Sequence, residues 1–333
     1  MKRELVDDIY KRLLNEDWKG LPPYLKGGQM GMCMFMALYS EYRNCGKARS
    51  LSARILPEVI KFIQYMPNRL LDGKTGIAWG MKYLSNNAIL EEDDTIRNIH
   101  STIQNECLNY CFATPIYLPE KEYLFSIGIY WAQLFKQEDS LERYIIEERL
   151  LALVDECDRQ LHCTIKGIYS PKDMPLSVLH SILYFLKKIN KEHIDSYQTQ
   201  KLIESAENVY SKIKSKELLD DYIYHVFIKK KKKKKIYEKQ HPPIFFIKRT
   251  NNLPKNHTAN FYLEFLGNLG FYSLLYSYPD IFSAALKRLN EQRPSFYSEA
   301  TQIIRKENIT VETLCGLGFG LLTHTKQDNY EEQ

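Results

Sequence analysis

The chain has 333 residues, 44% hydrophobic and 26% charged, with a formal net charge of +5. This balance excludes a disordered or fibrous protein, and the charge is too small to point to nucleic acid. No run of about 18 uncharged apolar residues occurs, so no membrane span is expected, and the seven scattered cysteines make no disulfide framework.

The first eighteen residues, MKRELVDDIYKRLLNEDW, interleave charges with Leu5, Ile9, Leu13 and Leu14. That is an amphipathic helix and not the continuous apolar core of a signal peptide, so a cytoplasmic protein is expected. Gly27, Gly28 and Gly31 then open a glycine-rich stretch, GGQMGMCMFMALYSEYR, and the spacing predicts a helix from Gly31 to Arg43. A second helix is predicted from Ala48 to Tyr65, with Pro57 marking a kink or a later start.

Asp72 to Leu84, DGKTGIAWGMKYL, repeats the device with Gly76 and Gly80, and a partner helix follows from Asp93 to Tyr110. The third copy, EYLFSIGIYWAQLFKQ, carries Gly128 and is followed by a helix from Leu141 to His162. The fourth, DMPLSVLHSILYFLKKI, has no glycine but keeps the long apolar helix, with a partner from Ser196 to Lys214. The fifth, Asp220 to Ile228, is broken off by the lysine run Lys229 to Lys235. The sixth, FLGNLGFYSLLYSY, has Gly267 and Gly270 and a partner helix around Phe282 to Leu289. A helix from Ser295 to Glu307 precedes the last copy, CGLGFGLLTH, at Cys315 to His324.

Anchored on Gly31, Gly76, Gly128, Ser177, Tyr224, Gly270 and Gly318, the copies recur every 45 to 52 residues. Seven helical hairpins fill residues 1–333 as one domain, either an open solenoid or a closed ring. Seven adjacent lysines repel one another, so a mobile basic loop is expected over 228–258. The same run, beside the apolar His241 to Phe246, could instead attract an acidic peptide or a phosphate-rich partner.

GGQMGMCMFMALYSEY followed by TGIAWGMKYLSNNAILEEDD resembles the lanthionine-synthetase C-like (LanC-like) family, in particular a branch associated with gut Bacteroidetes. GLGFGLL, Gly316 to Leu322, is similar to its final repeat. The resemblance implies an all-α fold, an α/α toroid whose inner helices are opened by glycine turns at Gly31, Gly76, Gly80, Gly128, Gly270 and Gly318. Active members hold one zinc with two cysteines and a histidine, the second cysteine adjacent to the histidine and followed by glycine. The metal activates a peptide thiol for thioether formation. This chain has no Cys-His-Gly, so no zinc ligand is carried over and no cofactor is assigned.

Other constellations have bland alternatives. Cys157, His162 and Cys163 are the densest sulfur–imidazole group, yet helical spacing does not converge them; Cys107 and Cys111 fit as buried thiols. Cys315 could be a nucleophile but has no nameable base, and His324 stands nine residues away. Asp72 and Glu264 are the carboxylates a glycosidase-like toroid would use. The aromatics Tyr83, Tyr130, Trp131, Tyr184, Phe271, Tyr272 and Tyr276 are either core or the lining of a central cavity.

The expectation is a zinc-less LanC-like protein that binds a peptide or protein partner and assists peptide modification. The cavity-facing residues expected to bind are Asp72, Trp79, Tyr83, Tyr130, Trp131, Tyr272 and His324. An active enzyme of the same family with an altered site, and a carbohydrate-active toroid, stand as alternatives.

Overall fold

The computed structural model describes residues 2–108, 122–135, 140–165, 176–212, 258–276, 279–306 and 309–331. The fifth repeat copy, the lysine run and the expected 228–258 loop lie outside the described residues, apart from Thr258.

Among the described residues the regular structure is helical throughout, without a strand. Thirteen helices follow in order: α1 Lys2–Leu14, α2 Gln29–Arg43, α3 Gly46–Phe62, α4 Lys74–Asn86, α5 Asp94–Leu108, α6 Glu122–Leu134 and α7 Ser140–Ile165. The rest are α8 Leu176–Lys191, α9 Ser196–Lys212, α10 Ala259–Tyr276, α11 Pro279–Gln292, α12 Phe296–Lys306 and α13 Val311–Glu331. Short 3₁₀ turns occupy Trp18–Gly20 and Ile63–Tyr65. Pro57 lies inside α3, which runs through it and starts no later for it.

Local chemistry sets many of the ends. The Asp93 carboxylate accepts the Ile96 N–H at 2.9 Å at the start of α5, and Thr310 Oγ1 accepts the Thr313 N–H at 3.2 Å at the start of α13. Asn44, in the left-handed region at φ 49°, stops α2.

Two starts are built identically, 45 residues apart. Pro22, Leu25, Gly28 and Gly31 match Pro67, Leu70, Gly73 and Gly76. In the first turn the Gln29 N–H donates to the Pro22 carbonyl at 2.7 Å, and in the second the Lys74 N–H donates to the Pro67 carbonyl at 3.0 Å. Leu25 and Leu70 are buried beneath these turns. A Cβ on Gly28 would lie 2.7 Å from the Tyr24 nitrogen, and one on Gly73 would lie 2.6 Å from the Arg69 nitrogen. Only glycine allows the loop to fold this tightly onto its helix.

The chain sorts into two compact units, Met1–Gln64 with Tyr83–Leu90 and Lys232–Gln333, and Tyr65–Lys82 with Glu91–Lys231. In the first unit α13 packs against both α10 and α2; α3 and α11 pair with α2 and α10, and α1 packs against α12. The last pair is fastened by Arg305, whose guanidinium donates to both oxygens of the buried Asp8 at 3.0 and 2.9 Å. In the second unit α6 packs against α8, α7 packs against both of these and against α9, and α9 also packs against α8.

Two kinds of helix result. Every residue of α2 from Gln29 to Ser40 is buried, whereas α3 buries only the stripe Ala48, Leu51, Ser52, Ile55 and Val59. A helix apolar all round belongs inside, and a striped one covers it.

The glycines expected at turns, Gly31, Gly76, Gly80, Gly128, Gly270 and Gly318, instead lie within helices. Their role at the resolved contacts is close approach of neighbours, not chain reversal. Gly267 meets Thr313 and Gly316, and Gly270 meets Gly316 and Gly320, so α10 and α13 run parallel in near backbone contact. A Cβ on Gly267 would lie 2.7 Å from the Thr313 carbonyl oxygen. Gly318 faces the Phe35 ring of α2, Gly320 the Phe282 ring of α11, and Gly128 the Phe185 ring of α8.

Replacing Gly270 or Gly316 by alanine should therefore destabilise the fold by about 3 kcal/mol or more, because backbone must move. Gly46→Ala, where a Cβ meets nothing within 4 Å, should be neutral or slightly stabilising. Urea unfolding of the three variants measures the contrast.

Candidate functional site

Of the expected binding residues, Asp72 sits on the surface before α4, where its carboxylate pairs with Arg69 at 3.1 Å. Trp79 of α4 and Trp131 of α6 are buried, and Trp131 Nε1 has no acceptor among the described residues. Tyr83 near the end of α4 is largely buried, which pushes its hydroxyl up to about 12. Tyr272 lies on α10, half-buried. His324 falls within α13, and its side chain is outside the described residues.

Two of these residues belong to polar clusters, each within one unit. In the first unit, Lys26 leaves the turn before α2 and pairs with Glu312 of α13 at 3.0 Å, its ammonium 5.4 Å from the centre of the Tyr272 ring. Burial works to lower the Lys26 pKa, but Tyr272 and Glu312 together outweigh it and hold the lysine above its ordinary range. Glu312 stands in the first turn of α13, where the helix dipole favours a carboxylate.

In the second unit, Tyr130 of α6 is fully buried and its hydroxyl lies 2.6 Å from Nδ1 of His100 on α5. Nε2 of His100 is 3.8 Å from Glu92, which in turn accepts from Lys82 at the end of α4 at 3.1 Å. Burial, reinforced by the Lys82 charge and opposed by Glu92, lowers the His100 pKa to about 4. A neutral imidazole accepting the tyrosine proton thus ties α5 to α6, and the Lys82–Glu92 pair closes its other side. Sequence reasoning passed over His100. Its signal was present, since His100 shares a helix face with Ile96 and Ile103, both buried.

The thiols divide sharply. Cys315 and Cys157 are fully buried, and burial pushes both thiols far up, Glu156 and Asp158 adding to the effect at Cys157. Cys33, pushed up to about 11, lies against Ser52, whose hydroxyl donates to the Cys33 carbonyl at 3.1 Å and so pins α2 to α3. Along α7, Cys157 points inward while His162 is exposed, so the helix separates this pair. Cys107 and Cys111 have no described side chains. Among the described residues no three of His, Cys, Asp and Glu gather to hold a metal.

Cys45, which sequence reasoning did not single out, is the contrasting thiol. It is partly exposed at the N-cap of α3, and the Tyr10 hydroxyl lies 3.5 Å from its sulfur. That hydrogen bond, against burial and with the N–H groups of Ala48 and Lys47, lowers its pKa. Glu264, the other candidate carboxylate, is exposed on α10.

No helix among the described residues is long and apolar enough to cross a membrane. The chain matches no family model, no curated protein and no solved structure.

Two measurements follow from these geometries. A thiol reagent applied to the folded protein should modify Cys45 well before Cys33, Cys157 or Cys315, and Tyr10→Phe should slow that reaction, as peptide mass spectrometry would record. His100 is depressed on folding, so the folded state disfavours its charged form. Its contribution is complete above about pH 6.5 and is lost as pH falls toward 4. Between pH 7.5 and 4.5 the protein should lose on the order of 2 kcal/mol more unfolding free energy than His100→Gln does, read from urea curves.

Proposed function

We propose that the protein is a zinc-less lanthionine-synthetase C-like protein, an α/α toroid of helical hairpins that holds a peptide or partner protein in a central cavity and assists its modification. The observation that carries this reading is the sorting of helices into two kinds. Largely buried, glycine-bearing helices lie side by side, α2 with α13 and α13 with α10, and striped helices such as α3 and α11 pack on them. Parallel packing of α10 on α13 is the relation that consecutive inner helices of such a ring would have. Tyr272, an expected binding residue, is half-buried beside the Lys26–Glu312 pair and so retains both exposure and a polar neighbour.

The missing Cys-His-Gly motif argues that the chain binds its peptide without cyclising it. The burial of Cys315 weighs against that thiol as a replacement nucleophile. Peptide-dependent stabilisation tests the reading. A bound peptide at a hundred times its Kd should raise unfolding free energy by about 2 to 3 kcal/mol, and Tyr272→Ala should abolish the gain. Elemental analysis returning one tightly held zinc per chain, or a peptide library that produces no shift, would sink the proposal.

A further inference from the structure

A second recognition place lies on the surface of the first unit, away from any residue used above for the cavity. A groove of about 540 Å³ runs between the N-terminal half of α3 and the chain that leaves α1. Its α3 wall consists of Lys47, Ser50, Leu51 and Arg54, which recur at i, i+3, i+4 and i+7 and so share one helix face. The facing wall includes Leu14 and Trp18. Leu14 is one of the large apolar side chains left exposed, and Leu51 is buried at the groove floor.

The charge around this apolar floor is uncompensated. Lys47, Arg54 and Lys19 have no ion-pair partner among the described residues, and Lys19 rests its ammonium 5.9 Å from the Trp18 ring. On the acidic side, Glu16 is already held by Arg12 at 3.2 Å, which leaves Asp17 alone against three cations. The N-terminal end of α3 adds its partial positive charge, and the space in front of Gly46 is open.

We propose that this groove binds an acidic peptide segment that also carries apolar side chains. The spacing selects a peptide over a single phosphate. Lys47 and Arg54 stand about 10.5 Å apart along the helix axis, a spacing that two carboxylates of one chain match better than a single anion does. An extended chain advances about 3.3 Å per residue and turns alternate side chains to opposite sides. Alternating leucine and glutamate would set the leucines on Leu14, Trp18 and Leu51 and bring the glutamates to the flexible cations at the rim. The groove's size also suits a few residues of peptide. This site is independent of the cavity reading, and its failure leaves that reading untouched.

The test is fluorescence anisotropy of the full chain with a labelled six-residue peptide alternating glutamate and leucine, and with its glutamine–leucine counterpart. The acidic peptide should bind saturably and weaken as salt rises. The double variant K47E/R54E should weaken it at least tenfold, Ser50→Trp should block it by filling the groove from an exposed position, and Lys201→Glu on α9 should leave it unchanged. Circular dichroism melting identifies any variant that fails to fold, and Ser50→Trp then decides without the charge swap. The proposal is overturned by any of four results: no saturation by about 1 mM peptide, equal binding of the glutamine peptide, equal loss with Lys201→Glu, or displacement of the peptide by an equimolar amount of inorganic phosphate.

Discussion

The packing of the first unit depends on atoms that are absent. Where α10 meets α13, Gly267 and Gly270 on one helix face Gly316 and Gly320 on the other, and any Cβ at these contacts would overlap a backbone or ring atom. Two parallel helices in near backbone contact gain dispersion along their whole shared length, and they forfeit it if one methyl group intervenes. Successive residues of a helix turn by about 100°, so Gly316 and Gly320 share a side while Gly318 points nearly opposite. That single alternation lets α13 approach α10 on one side and receive Phe35 of α2 on the other. A helix in this position has no solvent face, which is why Leu314 to Leu322 is buried without a break.

The polar groups follow from the same crowding. Where helices are packed on all sides, each buried side chain with a polar atom must find its partner on a neighbouring helix or carry the cost of desolvation. Tyr130 finds His100, Cys33 and Ser52 find each other, and Asp8 takes both of its hydrogen bonds from Arg305, 297 residues away. These contacts act as fasteners between elements. The Cys45 thiol pKa is lowered at an open helix start, while desolvation raises that of Cys315 on a confined helix. Cys315, the thiol singled out in the sequence as a nucleophile, and Cys45, partly exposed in the fold, are therefore different residues.

Much of the architecture was legible from residue order. The 3.6-residue periodicity of Met34, Phe35, Leu38 and their counterparts gives helices within a few residues of those observed, and the 45-residue echo of Gly31 in Gly76 marks two turns of identical construction. The site was less legible. Asp72 reads as an inner-turn carboxylate but is a surface ion pair, because the turn it belongs to folds back through Pro67 and Gly73 and leaves Asp72 outside. Trp131 reads as a cavity wall but is 1% exposed, on an apolar helix that packs against both α7 and α8. His100 went unread because its partner Tyr130 lies on another helix, thirty residues on.

Sequence alone determined the all-helical class, the glycine-marked recurrence and the separation of wholly apolar helices from striped ones. Each of these is a local property, set by side-chain period and by the backbone freedom of glycine. Tertiary structure decided what the glycines are for, which thiols are buried and which polar residues meet. Those outcomes depend on distances between segments far apart in the chain, and no spacing within one segment encodes them. CGLGFG announces three glycines; only the neighbours α10, α11 and α2 make each of them necessary.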